Sequence, residues 1–285
     1  KPYLDSIVAY VNVPSNVIAL KVEKGELTGF GIDTDVAPAD LDQARSDLRY
    51  RSYLEPAPST YSVWLLADVH VAPLDKLAVR QAIAMAINRR HLVALLGGDA
   101  VPSNQLYIPL MPQYDPALDR HPIFPYNPVK AAALLKASGY HGQPVTVLYA
   151  NNLRFYVSMA PGILQDLQQI GLNATLRGAS NNSISTLSAA LTGHQLSLTF
   201  WSPDYPDGDD TYAGVLACGP NAAGGTTGAH YCDPRADALV NEAQALPLGA
   251  QRNALLRQAQ VRMIQSAAHI PLVDLKQVEM VSPRV

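Results

Sequence analysis

Apolar runs of strand length alternate with segments of helical period along most of this chain, and that alternation restricts its fold more than any other feature. Residues 61–69 read as a strand rich in Val, Leu and Trp. The next segment sets Val79, Ile83, Ala86 and Ile87 on one helical face, with Arg80, Asn88 and Arg89 facing elsewhere and Asp75 as the expected cap. Asn127 is expected to cap another helix, with Pro128 in its first position and Gly139 at its end. Residues 145–149 read as a strand, 160–170 as a helix closed by Gly171, and 173–177 as a strand followed by a helix to about Leu191. Residues 196–200 read as a strand, and about 235–245 and 251–267 as helices, the second with an apolar row of Leu255, Ala259 and Met263. A strand at 270–275 follows. This order predicts an α/β protein with mixed sheets.

The first part of the chain is less regular. Residues 7–11 and 30–32 have strand composition, and 48–54 alternate like a strand. Pro14 and Ser15 open a helix that Gly25 stops, and 38–46 read as a polar helix. The run Glu55-Pro-Ala-Pro-Ser marks an expected lobe boundary. Residues 97–126 carry six prolines (Pro102, Pro109, Pro112, Pro116, Pro122, Pro125) and read as a long irregular connection, functional or wrapped on the surface.

With 285 residues, 48% of them hydrophobic, the chain can build two domains or one large one. The net charge is −3 and the cations are scattered, which argues against a nucleic-acid partner. No run of about 20 apolar residues offers a membrane span. The chain opens on the polar Lys1-Pro-Tyr-Leu-Asp rather than on a signal peptide, which leaves its compartment open. Cys218 and Cys232 flank a Gly-rich loop. Their spacing fits no zinc pattern, and a disulfide is favoured over two free thiols, because a staple helps most where little packs. The seven histidines are dispersed, without metal-ligand spacing, and no metal or cofactor is expected.

The strand at 196–200 delivers Trp201-Ser-Pro-Asp204-Tyr205-Pro-Asp207. Two aromatic faces and one carboxylate suit a ligand with an apolar body and a cationic end. A plain surface turn is the competing reading, since Asp and Pro are turn formers. No nucleophile–base pair accompanies the motif, so binding is expected rather than catalysis. Asp207, Asp209 and Asp210 read as a solvated acidic turn, with the wrong spacing for a calcium loop.

Several segments resemble, in order, the family 5 extracellular solute-binding proteins, the peptide- or nickel-binding subunits of ABC importers. Residues 79–89 (VRQAIAMAINR) are similar to the family's VRQAIxxAIDR, and 126–140 (YNPVKAAALLKASGY) to its YDPxKAKxLLxEAGY. Residues 164–171 resemble IQxDLxxIGI, 201–207 resemble GWxxDYxDP, 252–260 resemble RxxLYxxAQ, and Ile270-Pro-Leu matches a late strand. Thr28 stands where the family usually has Asp, and Trp64-Leu-Leu-Ala-Asp68 where an Asn-containing strand is common.

The resemblance implies a periplasmic-binding-protein-like α/β architecture (type II, cluster C): one lobe with a mixed sheet flanked by helices, plus an incomplete portion of a second α/β lobe. Family members are nearly twice this long, so it implies a C-terminal portion, with 1–55 part of lobe I, 56–269 the ligand-binding lobe III, and 270–285 the return toward lobe I. It implies a periplasmic or otherwise extracytoplasmic solute-binding subunit, not an enzyme. Such a subunit would capture a small solute, a di- or oligopeptide first, between lobes and pass it to ABC permease subunits, touching the membrane only through the permease or a lipid anchor. Asp204 matches the position that accepts a peptide's α-ammonium, with Trp201 walling the site and Tyr205 beside it. Arg154, past Asn151, is the candidate for the peptide carboxylate, with an exposed loop arginine as the alternative. A similar disulfide loop in the dipeptide branch supports the Cys218–Cys232 pair. The alternatives are a secreted hydrolase using the acidic cluster, a nickel- or metallophore-binding member of the same family, and a non-transport sensor.

Overall fold

A computed structural model of the chain describes residues 6–10, 13–29, 38–189, 194–218 and 229–282. The chain divides into two compact units, Lys1–Pro58 with Lys276–Val285, and Ser59–Leu275.

The smaller unit contains helices α1 (Ser15–Glu23) and α2 (Pro38–Ser46). Ile18, Ala19, Val22, Ala44 and Met280 form its core. Gly25, at φ 71°, turns the chain out of α1, and the Glu26 N–H closes back on the Lys21 carbonyl at 2.8 Å. The strand expected at 7–11 does not form over residues 7–10, where Ile7 is 83% exposed; Val11 and the expected strand at 30–32 lie outside the described residues. β-branched composition favours a strand only where a pleated, half-buried surface receives it, and here the side chains face water. The strand expected at 48–54 is replaced by turns and a 3₁₀ turn, Arg51–Tyr53. Asp47 accepts both the Arg49 N–H (2.9 Å) and its guanidinium (2.6 Å), a local arrangement that competes with extended backbone.

The larger unit is organised by six strands: β1 (Leu54–Ala67), β2 (Ala100–Pro102), β3 (Val145–Ala150), β4 (Ala174–Ala179), β5 (Leu196–Trp201) and β6 (His269–Met280). Their order is β2-β6-β1-β5-β3-β4. β3 runs parallel to β4 and β5, whereas β1 is antiparallel to β5, with Ser62 opposite Trp201. The run Glu55-Pro-Ala-Pro-Ser lies inside β1, and the two units divide at Pro58 within that strand.

Alternation along β1 sends Val63, Leu65 and Ala67 to one core and Trp64 and Leu66 to another, so the sheet is covered on both faces. Helices α3 (Leu77–Ala86), α4 (Arg89–Leu95), α6 (Pro128–Ala137) and α7 (Arg154–Gln169) supply the first core, with α5 (Pro116–Arg120) lying between α4 and α6 in the chain. α10 (Pro234–Gln244) and α11 (Ala250–Gln265) supply the second, together with Leu106, Tyr107, Ile108 and Met111. The proline-rich connection thus includes β2 and α5 and anchors itself through a buried stretch, Ser103, Gln105–Ile108, Met111 and Gln113, while much of the rest stays at the surface. α8 (Asn181–Ala189) follows β4, and α9 (Gly208–Thr211) follows β5.

Asn127 caps α6 as expected, its Oδ1 accepting the Lys130 N–H at 2.9 Å. Asp75 does not cap α3: Lys76 holds the cap position and no side chain bonds there. Arg80, expected to face away, is only 6% exposed. Its guanidinium donates to the carbonyls of Leu74 (2.7 Å) and Ser266 (3.0 Å). Arg89 is buried likewise, its Nε shared by the Ser103 and Pro271 carbonyls. A guanidinium carries five donors, enough to satisfy irregular backbone that no helix or ladder serves. α7 begins six residues earlier than expected and carries Pro161 inside it. Its apolar row already runs from Tyr156 through Met159, Ala160, Ile163 and Leu167, all buried.

Two titratable groups on β6 oppose each other. Burial pushes the Asp274 carboxyl up to about 7, against hydrogen bonds from Ser62 and Ser103, and burial pushes His269 down to about 4. Between about pH 4 and about pH 6.5 the folded Asp274 holds a proton that the unfolded chain has lost, so its contribution falls as pH rises. In the same window folded His269 lacks a proton that the unfolded chain holds, so its contribution grows as pH rises. The two slopes oppose each other in the wild type. Asp274→Asn should unmask stability that climbs with pH, and His269→Gln the reverse, each by up to about 1.4 kcal/mol per pH unit in urea titrations. Flat profiles in both variants would contradict this account.

Candidate functional site

Because β3, β4 and β5 are parallel, their C-terminal ends open on one edge of the sheet, the edge at which open α/β sheets receive ligands. The ligand-binding residues proposed from the sequence stand at or shortly after two of these ends, Asn151 and Arg154 after β3, and Trp201, Asp204 and Tyr205 at and after the end of β5. β5 is buried at Leu196, Ser197 and Leu198 and half-buried from Thr199 to Trp201, so it emerges from the core at Trp201. The 202–207 turn then leads into α9, which continues as a wider π-helical turn, Tyr212–Leu216.

The turn is built on carboxylates. Asp207 caps α9, its Oδ1 accepting the Asp209 N–H at 3.1 Å. Its Oδ2 meets Arg252 of α11 at 2.6 Å, and the other arm of that guanidinium meets Asp209 at 2.7 Å. Gln113 donates to Asp207 at 3.2 Å and accepts the Gly208 N–H at 2.9 Å. Burial works to raise the Asp207 carboxyl, but the bonds from Arg252, Asp209 and Gln113 outweigh it and hold it below the usual carboxylate range. Burial and the adjoining Asp207 push Asp209 up. Gly208 is pressed against the buried Tyr107 ring, where an added Cβ would lie 2.7 Å from Cζ. Gly208→Ala is expected to destabilise the larger unit by about 1–3 kcal/mol through overpacking, read by thermal melting.

Asp210, 7% exposed, joins this scaffold to the lip formed by Trp201 and Asp204. Its Oδ2 accepts the Trp201 indole N–H at 3.3 Å and the Asp204 main-chain N–H at 3.2 Å. Burial raises its carboxyl above the ordinary range. The Asp204 side chain is exposed, and its carboxylate makes no hydrogen bond or ion pair among the described residues. Tyr205 is 51% exposed, and a side-chain hydrogen bond links it to Asp209.

Asn151 lies just past β3, its N–H donating to the Ala179 carbonyl at the end of β4 (2.9 Å). Arg154 is exposed, not in a loop but as the first residue of α7. The next residue, Phe155, packs edge-on against Phe200 at 5.8 Å, and Tyr61 meets the same ring at 5.4 Å. The start of α7 is thereby docked beside the end of β5. No contact joins Arg154 to Asp204 among the described residues.

The acidic turn expected to be solvated is therefore a buried ion-pair scaffold at Asp207 and Asp209, with Asp210 as its link to Trp201. Sequence reading missed Arg252 and Gln113, whose partners lie 45 and 94 residues away. The only signal was Arg252 opening a recognisable helix motif. No group of three His, Cys, Asp or Glu placed to hold a metal occurs among the described residues. Cys218 and Cys232 form a disulfide with Cα atoms 4.9 Å apart, and residues 219–228 lie outside the described set. Asp237 of α10 accepts the Cys218 N–H at 3.2 Å and the Tyr212 hydroxyl at 2.7 Å, which pins one end of that loop. At the other end His230 lies 3.1 Å from the buried Asp68. No helix among the described residues is long and apolar enough to cross a membrane.

The family model for the middle region of the bacterial extracellular solute-binding proteins, family 5, matches residues 1–223, and the chain belongs to that family. A probable di/tripeptide-binding protein of Pseudomonas aeruginosa is 27% identical to it over 276 residues, 95% of this chain and 50% of the relative. The dipeptide-binding protein of Escherichia coli is 28% identical over 277 residues, 94% of this chain and 49% of the relative. The chain spans about half the length of the curated relatives it matches. The crystal structure of a Pseudoalteromonas dipeptide-binding protein in complex with Met-Leu shares the fold, with a TM-score of 0.79 at 21% identity over 95% of this chain and 52% of that one.

Proposed function

We propose that this protein is the solute-binding subunit of an ABC importer and that its solutes are unblocked di- or oligopeptides. Asp204 accepts the peptide α-ammonium, Trp201 and Tyr205 line the first residue, and Arg154 with Asn151 receives the far carboxylate. The ligand-binding lobe is the one expected over 56–269, with 1–55 and 270–285 belonging to another. The protein works outside the cytoplasm, passes its cargo to membrane permease subunits and catalyses nothing itself.

One observation carries this reading: an exposed carboxylate that the described chain does not neutralise stands at the C-terminal end of a parallel strand, beside a half-buried indole. A charge-assisted bond to an ammonium would complete it. Arg154 adds support. A cation in the first turn of a helix opposes the helix dipole, a local misfit that a bound carboxylate would relieve. The peptide-binding names of the relatives agree.

Calorimetry on the full-length protein tests the reading with dialanine and N-acetyl-dialanine. Dialanine should bind, and acetylation, which removes the positive charge, should weaken binding at least about tenfold. Equal affinity for the two would overturn the ammonium role.

A further inference from the structure

We propose that Asp210 and Gly214 are positioning residues that seat Trp201 and Asp204 in one arrangement for solute capture, an inference that rests on the peptide reading above. A single oxygen, Asp210 Oδ2, accepts both the Trp201 indole N–H (3.3 Å) and the Asp204 main-chain N–H (3.2 Å). The aromatic wall and the residue that carries the ammonium acceptor are thus tied to one point. Ser202 and Pro203 separate them in the chain, and among the described residues neither makes a hydrogen bond that joins the two.

The second half of the seat is an absent side chain. A Cβ on Gly214 would lie 2.5 Å from Trp201 Cζ2 and 2.7 Å from Cη2, far inside van der Waals contact. Only glycine lets the indole rest on the π-helical turn Tyr212–Leu216. Such wide turns recur at functional sites, and a glycine inside helical backbone is unfavourable unless something requires it. Tyr212, Val215 and Leu216 are buried and hold the turn in place. Asp210 is held in turn by α9, which Asp207 caps and Arg252 locks from α11. Support runs from α11 through the fork to Asp210 and out to the lip. A preorganised acceptor loses less freedom on binding than a loop side chain that must be ordered by its ligand.

The test measures dialanine affinity in the full-length protein by calorimetry. Asp210→Ala and Gly214→Ala should each weaken binding about tenfold or more, while Asp210→Asn, which keeps an acceptor oxygen, should stay within about threefold of wild type. Added to an Asp204→Ala background, Asp210→Ala should weaken binding clearly less than it does in the wild type, because the share of its effect that passes through Asp204 is already lost and only the share through Trp201 remains. A merely structural residue would weaken binding equally in both backgrounds, and that result would overturn the inference. Wild-type affinity in both Asp210→Ala and Gly214→Ala, with Asp204→Ala still impaired, would overturn it while leaving the peptide reading intact. Failure of the wild type to bind dialanine would overturn both. Should Asp210→Ala not fold, Gly214→Ala decides alone: wild-type affinity there overturns the seat.

Discussion

Asp204→Ala in the full-length protein is expected to weaken peptide binding by about 2–5 kcal/mol, the cost of stranding a charged partner in a desolvated site. That is roughly a 30-fold to several-thousand-fold rise in Kd. Folding stability should change by less than about 0.5 kcal/mol, because the Asp204 carboxylate is exposed and bonds to nothing in the described chain. The separation of the two effects is what identifies a binding residue. A variant with wild-type affinity would remove Asp204 from the site, and one that melts early would make it structural.

Arg252→Ala is expected to show the opposite pattern, with stability as the primary loss. The guanidinium side chain is 6% exposed, and the Asp207 and Asp209 side chains it bridges are 12% and 13% exposed. Removing it leaves two nearly buried carboxylates side by side, at a cost of about 3–5 kcal/mol in urea unfolding. Arg252→Lys keeps the charge but cannot span both carboxylates with one planar fork, so it should fall between the two. The deficit carries a pH signature. Unpaired buried carboxyls titrate above their unfolded values, and the native state then loses stability as pH rises through those raised values. The Ala variant should therefore lie closer to wild type near pH 4 than near pH 8. A loss below about 1 kcal/mol that does not depend on pH would show that the fork contributes little.

Much of the local architecture was legible in the residues. The Asn127 cap, Pro128 and Gly139 bound α6 as read, because caps and glycine turns act within a few positions of themselves. The strand that ends at Trp201 and the apolar row of α11 followed from periods of 2 and 3.6. The disulfide followed from two cysteines around a loop with little to pack. Other readings failed where a distant group overrode a local preference. Arg80 and Arg89 looked like solvent-facing cations but serve carbonyls more than 180 residues away, at Ser266 and Pro271. Residues 7–10 had the composition of a strand and face water instead.

By itself, then, the order of residues determined the α/β alternation, the family to which the chain belongs, the covalent loop and the turn that presents Trp201 and Asp204. Only the tertiary structure decided that Arg252 reaches Asp207 and Asp209, that Asp210 ties the indole to the lip, and that Gly214 leaves room for that indole. The reason is one of range. Periodicity and capping are satisfied between near neighbours, so they are written in short windows of residues. A buried charge must instead find its counter-charge wherever packing brings one, and that choice belongs to the assembled core.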